Sequence, residues 1–132
     1  MPIIVETLNL PSAQDRIDLA KIYADAPGWL LAPYPSAQAL IDAGIDDGRL
    51  IAGRFNDRLL GAALLTSGAD CWRLSHLCVR AITRQRGVAR RLLDEARHLA
   101  LAAGQPLHLA APKDHLECQA LAAHFGLPLD SR

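Results

Sequence analysis

The chain has 132 residues, 51% of them hydrophobic and 21% charged, which is the length and balance of one globular domain and excludes both a disordered chain and a fibrous repeat. Its formal net charge is zero, so it lacks the broad basic surface that general nucleic-acid binding needs. The charge is uneven, however: residues 1 to 70 carry nine acids and five bases, residues 71 to 132 five acids and nine bases, so an anion belongs in the second half.

Ile3 to Leu8 is short and β-branched and reads as a first strand. Ser12, with Asp15 three residues on, forms a capping box for a helix that runs to about Ala24 on an apolar stripe of Ile17, Ala20 and Ile22, before Pro27-Gly28 ends it. Trp29 to Asp47 is irregular, extended at Pro33 and Pro35, with a short helix that Ser36 caps and Gly44 closes. This segment reads as a lid or partner surface. Arg49 to Phe55 and Leu59 to Thr66 flank Asn56-Asp57-Arg58 as a β-hairpin, and Trp72 to Val79 adds a third antiparallel strand. A basic loop follows. Gly87 then opens a long helix with Val88, Leu92, Ala96, Leu99 and Ala103 at helical spacing and Gly104 as its stop. Leu107 to Ala111 is a short buried strand, and Asp114 to Phe125 a last helix stopped by Gly126. No final strand is evident before Arg132.

No apolar run approaches the roughly 20 residues of a membrane span. The first six residues resemble neither a signal nor a transit peptide. Cys71, Cys78 and Cys118 are odd in number without C-x-x-C spacing, which points to a reducing, cytoplasmic compartment and to neither a disulfide framework nor a zinc site. His98 reads as solvated surface, and His108, His115 and His124 lack metal-ligand spacing; no metal is expected.

The informative segment is Thr83-Arg84-Gln85-Arg86-Gly87-Val88-Ala89-Arg90, where a strand gives way to a helix that begins with glycine. A helix N-terminus offers unpaired N–H groups and partial positive charge, which suits a pyrophosphate. Gly87 permits close approach, Ala89 keeps the turn narrow, and Arg84, Arg86 and Arg90 add charge. The same residues are also compatible with a merely solvated basic helix start.

Arg84-Gln85-Arg86-Gly87-Val88-Ala89 resembles the pyrophosphate loop of the GCN5-related N-acetyltransferases (GNAT), and the order of elements agrees along nearly the whole chain. The resemblance implies an α+β fold, a mostly antiparallel mixed sheet flanked by helices in one domain over residues 1–132. It also implies acetyl-coenzyme A as ligand, with Leu77, Cys78 and Val79 along the pantetheine arm and Thr83 to Arg90 on the pyrophosphate. Gln14-Asp15-Arg16-Ile17-Asp18-Leu19, Lys21-Ile22, Ala52, Arg54-Phe55-Asn56, Arg58-Leu59-Leu60, and Val79-Arg80 with Thr83-Arg84 and Arg86-Gly87-Val88 are similar to the PanZ (PanM) family within that fold. That family implies a partner, the aspartate α-decarboxylase zymogen PanD, whose self-cleavage to the pyruvoyl form it promotes. Asn56 is then both a turn residue and a candidate contact for ligand or partner.

Acetylation of an amine needs a base and often an acid for the departing thiolate. His76, on the strand before the loop, is the candidate base, although a lone histidine on a strand is more often structural. The thiolate-protonating tyrosine of active relatives, counted back from Gly126, corresponds to Ala122. Two functions stay open: a regulatory module that senses acetyl-coenzyme A, and an N-acetyltransferase acting on a small-molecule or protein amine. A generic anion-binding domain would use the loop but leave the order of strands unexplained.

Overall fold

The structure is a computed structural model that describes residues 3–24, 26–80, 87–112 and 116–131, with the side chains of Glu117 and Ser131 left aside. Six strands form one sheet in the order β1 to β6: Ile4–Thr7, Leu50–Phe55, Arg58–Thr66, Trp72–Val79, Leu107–Ala111 and Leu129–Ser131. The first four are mutually antiparallel, and β5 and β6 join in parallel. Five helices accompany them: α1 Ala13–Ala24, α2 Gly28–Leu31, α3 Ala37–Asp46, α4 Val88–Ala102 and α5 Leu116–Phe125. Side chains of α1, α2 and α3 share one apolar core with β2 and β3, while those of α4 and α5 belong to a second, with Leu74, Leu107 and Leu109. The sheet thus carries a core on each face. Among the described residues no helix is long and apolar enough to cross a membrane.

The capping box at α1 forms in both directions, Asp15 N–H donating to Ser12 Oγ at 3.0 Å and Ser12 N–H to Asp15 Oδ2 at 3.3 Å. The stripe that α1 buries differs from the expected one: Ile17 is 50% exposed, and Asp15, Asp18, Leu19, Ile22 and Tyr23 face inward. Two acids can lie there because Arg54 and Arg58 reach them from the hairpin. Ser36 caps α3 through Ala39 N–H at 3.1 Å, but Gly44 does not close it. A Cβ on Gly44 would stand 2.6 Å from Leu64 and 3.2 Å from Leu50, so this glycine seats the helix against the sheet, and the chain turns at Gly48 with φ of 68°. The β2–β3 turn is the two residues Asn56 and Asp57, both left-handed at φ 49° and 64°, as a primed hairpin turn requires. Arg58 already belongs to β3. The terminal strand β6 is the other correction. It has three residues after Pro128, too few to show alternation, and it exists through its pairing with β5.

Candidate functional site: a cleft where β4 leaves β5

β4 and β5 pair only from Trp72–Leu107 to Leu74–Leu109. Beyond that point β4 bulges: between the pairs Ala62–Cys78 and Leu64–Ser75, β3 advances two residues and β4 three. His76 takes up the extra residue in the left-handed region at φ 55°, which increases local twist and turns the strand away from its neighbour. A cleft of about 600 Å³ opens between the diverging strands, with Trp29 and Leu30 from α2, Ala89 from α4, and Cys118 and Leu121 from α5 as its other walls.

The start of α4 overlooks this cleft. Gly87 precedes it at φ 84°, a conformation that costs an L-residue roughly 1–2 kcal/mol, and the first helical bond is Arg91 N–H to Gly87 C=O at 3.0 Å. The N–H groups before it have no partner within the helix. Val88 is buried against the sheet, where a Cβ on Gly61 would lie 2.8 Å from its Cγ1. The absence of that Cβ brings the helix end down onto β3. Val88 can therefore meet a ligand only through its backbone, whereas Ala89 lines the cleft and the Arg90 side chain is 75% exposed with a loose 3.9 Å contact to Asp94. Thr83, Arg84, Gln85 and Arg86 lie outside the described residues. Leu77, Cys78 and Val79 all line the cleft, with the Cys78 thiol donating to Ile22 C=O at 3.3 Å.

His76 lines the cleft but is 6% exposed, and both its ring nitrogens are engaged. Nε2 lies 2.9 Å from Ala32 C=O, which can only accept, so Nε2 carries the proton and Nδ1 accepts from Ser75 Oγ at 2.8 Å. Tyr34 packs edge-on at 5.4 Å, and the buried Tyr23 hydroxyl donates to His76 C=O at 2.8 Å. This network fixes the bulge and ties α1 and the segment after α2 to it. A nitrogen held in this way has to break a hydrogen bond before it can take a proton from an amine.

Ala122 is 4% exposed and belongs to the apolar core, one helical turn along α5 from the cleft-lining Cys118. The cleft-facing positions are Cys118 and Leu121, and α5 contains no tyrosine.

Asn56 lies at the hairpin tip, away from the cleft lining, above a polar clamp that sequence reasoning missed. Arg54 makes a two-pronged bond to Asp15 at 2.9 and 3.0 Å and reaches Glu6 at 2.7 Å. Asp18, 1% exposed, accepts from Arg58 Nη2 at 2.7 Å, from Leu59 N–H at 3.1 Å and from Gln14 at 2.9 Å. The Arg54 guanidinium holds the Asp15 carboxyl below its usual range. Burial pushes the Asp18 carboxyl up, but the bonds from Arg58, Leu59 and Gln14 outweigh it and leave it lowered. Most of the α1 and hairpin residues that carry the likeness to PanZ thus join those two elements rather than line the cleft.

Known proteins agree with this architecture. The chain is 38% identical over 95 residues to the PanD regulatory factors of Salmonella typhimurium and Escherichia coli, a match covering 72% of this chain and 66%, just under two thirds, of each relative. Its fold superposes on the PaiA N-acetyltransferase of Thermoplasma acidophilum, crystallised with coenzyme A, with a TM-score of 0.69 at 14% identity over 95% of this chain and 89% of that one. The family model for the PanZ acetyltransferase (GNAT) domain matches residues 2–129, and with the cleft, the bulged β4 and the glycine-started α4 in place, the chain belongs to the PanZ family of GNAT domains.

Proposed function

We propose that this chain binds acetyl-coenzyme A in the β4–β5 cleft and, in that state, associates with the aspartate α-decarboxylase zymogen PanD to promote its self-cleavage. The pantetheine arm follows β4 at Leu77, Cys78 and Val79. The pyrophosphate lies against the N–H groups that open α4, and Thr83 to Arg90 are the stretch of sequence assigned to it. The observation that carries this reading is the joining of an open cleft to a helix that begins at a left-handed glycine, in a fold whose α5 contains no tyrosine. His76 is bound at both ring nitrogens. Such a site holds a thioester without spending it, which is what a sensor requires.

Names of relatives supply the partner, and the match to them spans only two thirds of their length, so the partner has to be tested directly. Tagged chain and PanD zymogen should co-purify with acetyl-coenzyme A present and separate without it. Co-purification that ignores the ligand contradicts the sensing role, and no association in either condition contradicts the partner. The competing reading, amine acetylation, has a specific observation in its favour: Cys118 of α5 lines the cleft and carries a group able to protonate a thiolate. Saturable acetylation of an amine that Cys118→Ala abolishes would establish it.

A further inference from the structure

A second group of reactive side chains lies outside the cleft. Cys71 precedes β4, His108 is in β5 and Asp130 is in β6, and one donor atom from each falls within 4.8 Å of the others. The sheet register explains the convergence. Arg73 pairs with His108 and Ala110 with Asp130, so side-chain alternation puts Cys71, Arg73, His108 and Asp130 on one face, opposite Leu74 and Leu109.

The chemistry of the group is that of a metal chelate. Thiol, imidazole and carboxylate together suit a borderline ion such as Zn²⁺, not Mg²⁺ or Ca²⁺. His108 Nδ1 and Asp130 Oδ2 are already 3.0 Å apart. Tetrahedral zinc holds its donors about 3.3–3.6 Å from one another, so the cysteine sulfur has to move by only about 1 Å. Cys71 is 4% exposed, and its thiol makes no hydrogen bond among the described residues. Arg73 opposes a cation, because its Nε donates to Asp130 Oδ2 at 2.8 Å. Its side chain is half exposed, however, and Asp130 keeps a second oxygen. The positive charge of Arg73 is met by Asp130.

We propose that Cys71, His108 and Asp130 form a binding site for a thiophilic divalent cation of the Zn²⁺ class, which cross-links the start of β4, the strand β5 and the terminal strand β6. Arg73 holds the site together when no metal is bound and weakens the metal's affinity. The three ligands are far apart in sequence, so spacing rules could not reveal them.

Co²⁺ tests the proposal, because a cobalt–thiolate bond gives a near-ultraviolet charge-transfer band. Titration of the full chain should produce that band at one equivalent, and Zn²⁺ should displace it. Cys71→Ser should abolish it, Cys78→Ser and Cys118→Ser should retain it, and Arg73→Met should tighten binding by about tenfold or more by removing a nearby positive charge. His108→Gln, at a partly exposed position, should weaken binding by at least about tenfold, and it serves as the decisive variant if Cys71→Ser does not fold. No band at millimolar Co²⁺, a band that survives Cys71→Ser, or affinity unchanged in His108→Gln overturns the site.

Discussion

Asp18→Ala tests the clamp between α1 and the hairpin. The substitution removes the acceptor of Leu59 N–H, in a residue with no solvent exposure, and leaves that donor buried without a partner. An orphaned buried donor costs about 1–3 kcal/mol. The Arg58 guanidinium, whose side chain is 46% exposed, returns to water on losing Asp18 and adds little. Loss of the Gln14 bond and of α1 packing brings the expected total to about 2–3 kcal/mol, a large share of the roughly 5–15 kcal/mol that holds a domain folded. Asp18→Asn keeps an oxygen for Leu59 N–H and should cost less, about 1 kcal/mol. Urea unfolding followed by the fluorescence of Trp29 and Trp72 measures both, with an unchanged slope showing that stability alone has altered. The reasoning is refuted if Asp18→Ala falls within about 0.5 kcal/mol of the parent, the range of an ordinary surface change, or if the asparagine costs more than the alanine.

At Gly87, the φ of 84° predicts that Ala costs about 1–2 kcal/mol of stability while leaving room for ligand. Glu should in addition abolish the thermal shift produced by acetyl-coenzyme A, which at a hundredfold excess over Kd amounts to about 2.7 kcal/mol, and a normal shift in Gly87→Glu would move the pyrophosphate elsewhere. His76→Ala should lower stability by about 2 kcal/mol through lost hydrogen bonds to Ala32 and Ser75; an intact fold with acetyl transfer lost would instead make His76 a catalytic base. Asp15, Asp18 and Asp130 all have folded-state values below the ordinary carboxylate. Their contribution is complete above the unfolded value of about 3.9 and is lost as pH falls through the lowered folded values. Melting temperature should therefore drop steeply below about pH 4, and less steeply in Asp18→Asn; an equal slope in that variant would remove Asp18 from the acid response.

What the sequence disclosed follows from how local each signal is. The capping box at Ser12, the Asn56-Asp57 turn, the Gly87 helix start and the Gly104 stop are set by neighbouring residues, and each is present in the structure. Gly44 misled because a glycine near a helix end resembles a terminator, while its role here, contact with Leu64, depends on a strand twenty residues away. The α1 stripe misled because buried acids look solvent-facing until Arg54 and Arg58 are brought to them by the hairpin. Nothing in Leu74-Ser75-His76-Leu77 marks a bulge, so the event that opens the cleft was invisible, and the fixed geometry of His76 with it. Ala122 is fixed by its distance from Gly126 along one helix, a local signal, and the lack of a tyrosine in α5 is legible from the residues alone. The family likeness is legible because part of it builds the α1–hairpin clamp, a feature of fold, and part falls in the stretch of sequence from Val79 to Val88 that leads into α4.

The most direct test of the proposed regulatory role is the rate of PanD zymogen self-cleavage, measured with this chain and acetyl-coenzyme A each present or absent, alongside release of free coenzyme A in the presence of an amine panel. Cleavage should accelerate only when chain and acetyl-coenzyme A are both present, and amines should release coenzyme A no faster than buffer. Unaltered cleavage together with saturable acetylation of one amine at about 1 per second or faster, the range of ordinary enzymes, would contradict it.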